Sequence, residues 1–375
     1  MIYFTYLSIF LALFYSTLML YYTWGWLGLK FFKVPHNFVP ETTVSIIIPA
    51  RNEEKKIEVL IQTLLLLNYP KHLLDIVIVD DFSTDNTSAL VLKYMNHGIR
   101  LLHPDYQENH ITFKKQAIDY AISKCQSQLI ITTDADCEVH QDWVRTIVAF
   151  QKENDACFIS SPVAMKKGGT LFQQFQALEF SGLVAIGGAA LHWQKPNMCN
   201  GANVAYLKTA YTAVGGFKGN EHIPSGDDEF LMHKMFLSFP GRVLFLKNKD
   251  VIVNTHATAN LIEFIQQRMR WVSKSTKYEN RNITRILFLC YCFNLSLLIN
   301  FIGLFFNSSM LFVFAIQFGL KLIAEGILLY QATTFFVIKK LMRWLLPEQM
   351  IHVIYVVMIG VLGNTVSYRW KGRRS

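Results

Sequence analysis

Apolar positions fall into two patterns along this chain. Ile2 to Leu29 is a long apolar stretch almost without charge, and after Arg285 such stretches return at Ile286 to Phe306, Met310 to Ile338 and, more briefly, Met350 to Val366. Runs of this length suit helices that span a bilayer. Between them the apolar runs are short and continuous: Val44 to Pro49 (VSIIIP), Asp75 to Val79 (DIVIV) and Gln128 to Thr133 (QLIITT). Runs without alternation predict strands buried on both faces. Glu54 to Asn68, Asp85 to Asn96 and Thr112 to Lys124 read as the helices that separate them. Strands alternating with helices predict an α/β domain with a mostly parallel sheet and right-handed crossovers. Ligands of such sheets collect at the carboxyl ends of the strands. Attention therefore goes to Arg51-Asn52-Glu53, Asp80-Asp81 and Asp134-Ala135-Asp136.

This gives three expected regions: an anchor at 1–30, an α/β domain at 40–280 and a membrane region of about three helices at 285–368. The first apolar stretch lacks a basic leader and a small-residue cleavage site, so it reads as an anchor rather than a signal peptide. Lys30 and Lys33 after it place the next segment in the cytosol and predict a multi-pass protein of the cell (inner) membrane. Lys321 and Glu325 interrupt the third stretch four residues apart, a spacing at which they neutralise each other on one helix face. Lys340 to Pro347 reads as interfacial. Four crossings would put the basic tail Arg369 to Arg374 outside, against the positive-inside tendency, so either the last stretch does not cross or the tail breaks the rule. Leu171 to Trp193 reads as an apolar helix that either rests on the membrane or is buried.

Hydrophobic residues make up 52% of the 375 positions, with a mean hydropathy of +0.25. Both values fit membrane segments. The net charge of +9 clusters beside the apolar stretches, with no basic stripe carrying interleaved aromatics, so nucleic acid is not expected as a partner. None of the six cysteines has zinc-like spacing; Cys290 and Cys292 sit inside an apolar run, and the four in the polar domain read as reduced, partly buried thiols.

The three acidic clusters would meet in one crevice. Packed carboxylates repel one another unless a cation sits among them, and a divalent metal holding a diphosphate is the economical solution. Helix capping is the alternative, and it suits Asp85 with Ser83 and Thr84. It does not account for two acids spaced as Asp134 and Asp136 are. No GxGxxG follows the first strand and no Walker lysine loop occurs, which excludes the dinucleotide and P-loop readings.

IIIPARNEEKKI, IVIVDDFSTDNT, TFKKQAI, TTDADC, NGANVAYLKTAYTAVGGF, SGDDEFL and QQRMRW occur in that order. Together they resemble family 2 glycosyltransferases with a GT-A fold, in particular membrane-anchored cellulose, hyaluronan and chitin synthases, over Val44 to Trp271 and the helices beyond. The resemblance implies an inverting hexosyl- or N-acetylhexosaminyltransferase that uses a nucleotide-diphosphate sugar, with uridine favoured, and a lipid or glycan acceptor at the membrane. It places Pro49, Arg51, Glu53, Asp80 and Asp81 around the nucleoside and Lys114 near the nucleotide. Lys115 is an equally available neighbour, and the usual preceding glycine is Phe113 here. Asp134 and Asp136 match the DxD motif that holds Mg2+ or Mn2+, with Asp134 also at the ribose or sugar. Asp227 and Asp228 match the acidic pair that supplies the general base, Asp228 foremost, and Asp227 alternatively caps a helix. Gln267, Arg270 and Trp271 match QxxRW, which offers an arginine to the diphosphate and an indole to an acceptor sugar. An amphipathic helix at the membrane surface would carry the same residues. The pair follows glycine, Gly226-Asp227-Asp228, rather than the Thr-Glu-Asp of cellulose synthases, and four candidate spans are few for threading a polymer. A polyprenyl-phosphate sugar synthase and an inactive scaffold or transport component are the rival readings. Gln267 to Trp271 argues against the first, and intact Asp134, Asp136, Asp228 and Arg270 against the second.

Overall fold

The computed structural model describes residues 2–105, 114–166, 168–219, 226–274, 280–365, 369–370 and 373–374. They form two compact units, Leu29–Lys166 with Ala190–His256, and Met1–Gly28 with Lys167–Ala189 and Ala257–Ser375. The first helix, α1 (Ile2–Gly28), belongs to the second unit.

The first unit is built on a seven-stranded sheet. Its strands are β1 (Val44–Ala50), β2 (Leu74–Asp80), β3 (Ile99–Leu102), β4 (Leu129–Thr132), β5 (Phe158–Ser160), β7 (Val204–Leu207) and β8 (Val243–Phe245), in the order β3-β2-β1-β4-β7-β5-β8. β6 (Val163–Met165) and β9 (Val253–Thr255) form a separate parallel pair. β1 to β4 are mutually parallel, and β7 runs antiparallel between β4 and β5. Ile46, Ile47, Ile48, Val77, Ile78, Val79, Ile130 and Ile131 are fully buried, as the continuous apolar runs predict. Helices α2 (Ile57–Leu65), α3 (Thr87–Leu92), α4 (Lys114–Lys124) and α5 (Trp143–Asn154) make the crossovers, and α7 (Lys208–Ala213) and α8 (Asp227–Ser238) follow β7. Each expected helix is present but shortened. The Thr112–Phe113 start of the third lies outside the described residues. Asn203, just before β7, ties the far half of the sheet together. Its amide donates to the carbonyls of Pro162 and Val251, and its oxygen accepts from the Trp143 indole, all at 2.7–3.0 Å.

The second unit holds α1, most of α6 (Leu171–His192), α9 (Leu261–Val272), α10 (Arg281–Gly303), α11 (Met310–Phe335) and α12 (Leu345–Thr365). The expected 40–280 domain is therefore interrupted, because α6 and α9 group with the apolar helices. Packing is the reason. Gly182 of α6 lets Leu329 of α11 come so close that an added methyl would meet it at 2.9 Å. Met269, Ile265 and Val272 of α9 pack on Ile359, Leu362 and Tyr355 of α12.

α1, α10, α11 and the segment around α12 are long and apolar enough to cross a membrane. Contacts separate three of them from the fourth. Ser8 meets Gln317, Tyr15 meets Glu325 and Trp26 meets Phe335, so α1 and α11 run parallel in constant register. Asn300 reaches Ser8 and Phe293 stacks on Tyr15, so α10 runs antiparallel to both. α12 keeps to one depth of this bundle. Leu345 lies over Gly326, Gln349 bonds Glu325, and His352 faces Lys321. By Gly360 the helix is against Tyr291, two residues from the Phe293 that shares the Tyr15–Glu325 level. A crossing helix of this length would climb about 30 Å, whereas Gly326 to Lys321 spans only about 7 Å of rise. Length and composition make α12 look like a span, but its contacts make it a helix that lies across the bundle.

The expected Lys321–Glu325 pair forms and is buried. Glu325 also accepts from Tyr15 and from Gln349 at 2.6 Å, which fastens α1, α11 and α12 to one carboxylate.

With α12 lying across the bundle, reporter fusions inserted after Lys340 and after Ser375 are expected to report the same side of the membrane. Opposite sides would show that the helix spans.

Candidate active site

The loops after β1 and β2 are locked together by side chains acting on backbone. The Arg51 guanidinium donates to the Asp81 carbonyl at 2.7 Å, and the Asn52 amide donates to Ser83 Oγ at 3.0 Å. Asn52 oxygen accepts from the Thr84 amide at 2.8 Å. Asn52 and Phe82 take φ values of +53° and +58°, a left-handed backbone that non-glycine residues adopt only where surroundings enforce it. Asp80 and Asp81 are 6% and 3% exposed and Glu53 is 8% exposed. Asp80 accepts from the Ser83 amide at 3.0 Å, from the Ser88 hydroxyl, and lies 3.8 Å from His103. Asp85 plays the capping role expected of it, accepting from the Thr87 amide at 2.9 Å and the Glu54 amide at 3.2 Å. Pro49 lies opposite Val79 in the last part of the β1–β2 register, next to Ala50 opposite Asp80, so both loops leave the sheet at one edge.

After β4, the two aspartates of the Asp134-Ala135-Asp136 turn are each met by a lysine. Lys114, the first residue of α4, holds Asp134 at 2.5 Å, and Lys56 holds Asp136 at 3.3 Å. Of the two neighbouring lysines, Lys114 meets Asp134, while Lys115 is buried. Burial alone would pull the Lys114 ammonium down, but Asp134, Asp227 and Asp228 together outweigh it and hold its pKa above the ordinary lysine value. DxD, Lys114 and the acidic pair of α8 therefore share one electrostatic site.

Asp227 and Asp228 occupy the first turn of α8 behind Gly226, whose φ is +82°. Asp228 accepts from the Gly201 amide at 2.5 Å and from the Glu229 amide at 2.9 Å. Gly201 in turn is placed by Thr132 at the end of β4, whose hydroxyl donates to its carbonyl at 3.0 Å. A methyl on Gly201 would press on Asp228 at 3.3 Å, so glycine is what lets the loop approach the carboxylate. Gly215 and Gly216 simply close the C-terminus of α7, with the Gly216 amide bonded to Tyr211 oxygen at 2.9 Å.

Gln267, Arg270 and Trp271 lie on α9 in the helical unit. α9 begins at Asn260, whose side chain accepts from the Glu263 amide at 2.9 Å, while Glu263 reaches back to the Ala259 amide at 3.2 Å. This is a reciprocal cap of the capping-box kind. One face of the Trp271 indole is already covered by the Arg268 guanidinium, 4.2 Å from the ring centroid.

One residue that the sequence did not single out, His256, lies within electrostatic reach of Asp136. His256 follows β9, whose Asn254 bridges Glu138. Burial, then Lys56 and Lys166, push its imidazole below the ordinary value, against the pull of Asp136 and Glu138. Nothing short of the β9 pairing could have revealed this, because His256 stands 120 positions from Asp136 with no spacing signal.

Among the described residues, no cluster of three His, Cys, Asp or Glu side chains is arranged to hold a metal by itself. The DxD carboxylates are hard oxygen donors counterbalanced by lysines, and they fit a divalent ion whose remaining ligands come from a diphosphate.

The glycosyl transferase family 2 model matches residues 45–214. Poly(ribitol-phosphate) beta-N-acetylglucosaminyltransferase TarS of Staphylococcus aureus is 28% identical over 110 residues, 29% of this chain and 19% of that protein. Poly-beta-1,6-N-acetyl-D-glucosamine synthase of the same species is 23% identical over 180 residues, 46% of this chain and 41% of that protein. The chain thus matches well under half the length of these relatives. Among solved structures, a mannosyltransferase from Pyrobaculum calidifontis, in complex with GDP-Man and Mn2+, aligns with a TM-score of 0.57 at 15% identity, covering 94% of this chain and 99% of that one. At that identity the likeness speaks for the fold. The segment that carries the strand-end carboxylates matches the glycosyl transferase family 2 model, and the α/β unit has the GT-A fold of these sugar transferases.

Proposed function

We propose that the protein is an inverting glycosyltransferase that moves a sugar from a nucleotide-diphosphate donor to a lipid or glycan acceptor at the membrane. The observation that carries this reading is the convergence of Asp134, Asp227 and Asp228 on Lys114 beside the locked β1 and β2 loops. Arg51, Glu53, Asp80 and Asp81, with Pro49, form the nucleoside side, where nearly buried carboxylates accept hydroxyl and N–H donors. Lys114 and Lys56 lie where a diphosphate would sit among the acids. Asp136 and Asp134 would hold a divalent ion, Mg2+ or Mn2+, which offsets the charge that develops on the leaving nucleotide. Asp228 is oriented by two backbone amides and takes the proton of the attacking acceptor hydroxyl.

For the donor, the two curated relatives act in N-acetylglucosamine transfer, which supports an N-acetylhexosamine donor carried on uridine diphosphate. The mannosyltransferase binds GDP-Man, so guanosine donors are the second choice. Orientation follows from charge. Lys30 and Lys33 follow α1, Arg281 and Arg285 begin α10, and Lys339, Lys340 and Arg343 follow α11. By the positive-inside tendency those helix ends are cytosolic.

Nucleotide release by the purified protein in lipid nanodiscs, screened with UDP- and GDP-sugars and Mn2+ or Mg2+, tests the assignment. Metal-dependent release with one donor is expected. Asp228→Asn should cut it by about 10²- to 10⁴-fold, the usual worth of a positioned base, with donor binding retained. Asp136→Asn should abolish the metal dependence. Normal turnover in either variant refutes the role given to that residue.

A further inference from the structure

Arg268 sits inside the QxxRW segment without belonging to its pattern, yet it is the most confined side chain of α9. Its guanidinium donates to Glu179 of α6 at 2.6 Å, and the two side chains are only 4% and 9% exposed. A second donor bond runs to Gln267 at 3.1 Å. The same group lies over the Phe264 ring at 4.6 Å and the Trp271 ring at 4.2 Å. Phe264, Arg268 and Trp271 are spaced i, i+4 and i+7, so they share one helix face, with the cation between two aromatic rings. Phe180, next to Glu179 in α6, meets the Trp271 indole at a centroid distance of 6.1 Å. The other oxygen of Glu179 accepts from Tyr355 of α12. Tyr355 itself lies edge-on to Phe264 at 5.4 Å. One carboxylate thus holds α9 and α12 at once.

Stability alone is a poor account of this arrangement. Nearly dry ion pairs lose much of their attraction to desolvation, and neutral pairs of similar shape often serve as well. What a neutral pair would not supply is a fixed direction. The indole cannot change its rotamer without displacing the guanidinium, and the guanidinium cannot move without leaving Glu179. Gln267 is fixed by the same group.

We propose that Glu179 is a positioning residue for the QxxRW face, setting the orientation of Trp271 and Gln267 through Arg268. This deepens the proposed function, since it rests on the reading of Trp271 as part of the acceptor side. It also gives α6 a purpose beyond filling space, because the helix then supports the acceptor-facing residues.

The test uses the full chain in nanodiscs, labelled with 5-fluorotryptophan, with the Trp271 resonance assigned by Trp271→Phe. In Glu179→Gln that resonance should shift and broaden, while Glu179→Asp, which keeps the charge, should largely restore it. Nucleotide release from UDP-N-acetylglucosamine in the presence of membrane lipid should fall about tenfold in Glu179→Gln, the scale expected when a binding group is misplaced by a fraction of an ångström to an ångström. Should Glu179→Gln prove too unstable to purify, Glu179→Gln/Arg268→Met removes both charges. It should recover the melting temperature without recovering release. The fluorine signal needs no turnover, so a wrong functional reading and a wrong positioning role are told apart. An unmoved Trp271 resonance in Glu179→Gln, or a double variant with wild-type release, overturns the proposal.

Discussion

The α/β unit is organised around holding several negative charges close together beside lysines. Two carboxylates about 4 Å apart repel by roughly 4 kcal/mol near a protein surface, and this sheet edge brings Asp134, Asp227 and Asp228 into one field. Lys114 answers all three, and it can do so because α4 starts with it. Lys56 answers Asp136 from the loop after β1. The locked loops and the close approach of Gly201 to Asp228 follow from the same need, since each fixes a carboxylate where backbone amides can reach it. Such a site is in balance only with its lysines in place.

The helical unit meets the opposite problem, polar groups in an apolar setting. Between apolar helices the hydrophobic effect gives little selectivity of partner, so small residues and buried polar contacts set the packing. Glu325 joins α1, α11 and α12, Asn300 and Gln317 join α10 and α11 to Ser8 of α1, and Glu179 joins α6, α9 and α12. Each is a shared acceptor or amide that two or more helices need at once, so losing one would loosen several interfaces.

Much of this was legible in the chain. The continuous apolar runs located β1, β2 and β4, and the polar residues after them are the ones that gather at the sheet edge. The Lys321–Glu325 spacing foretold their pairing. Other features left no local trace. The antiparallel β7 sits between β4 and β5 through contacts distant in sequence, and its NGAN segment serves partly to place Asn203 as a structural tie. His256 reaches the DxD turn only through strand pairing. α6 and α9 look like part of the central domain because sequence order says so, whereas packing assigns them to the apolar helices. α12 shows the limit most clearly. Hydropathy measures whether a helix tolerates lipid, not how deep it lies, and depth was decided by Gln349, His352 and Gly360.

A helix that enters the bundle from one side and stays at one level has a mechanical consequence. With Leu346, Met350, Ile354 and Met358 exposed along it, α12 turns a row of apolar side chains away from the helices it lies across, while Ile359 and its neighbours hold α9. Whatever surrounds that outer row therefore bears on the fit of α9 against α12 without binding to any site.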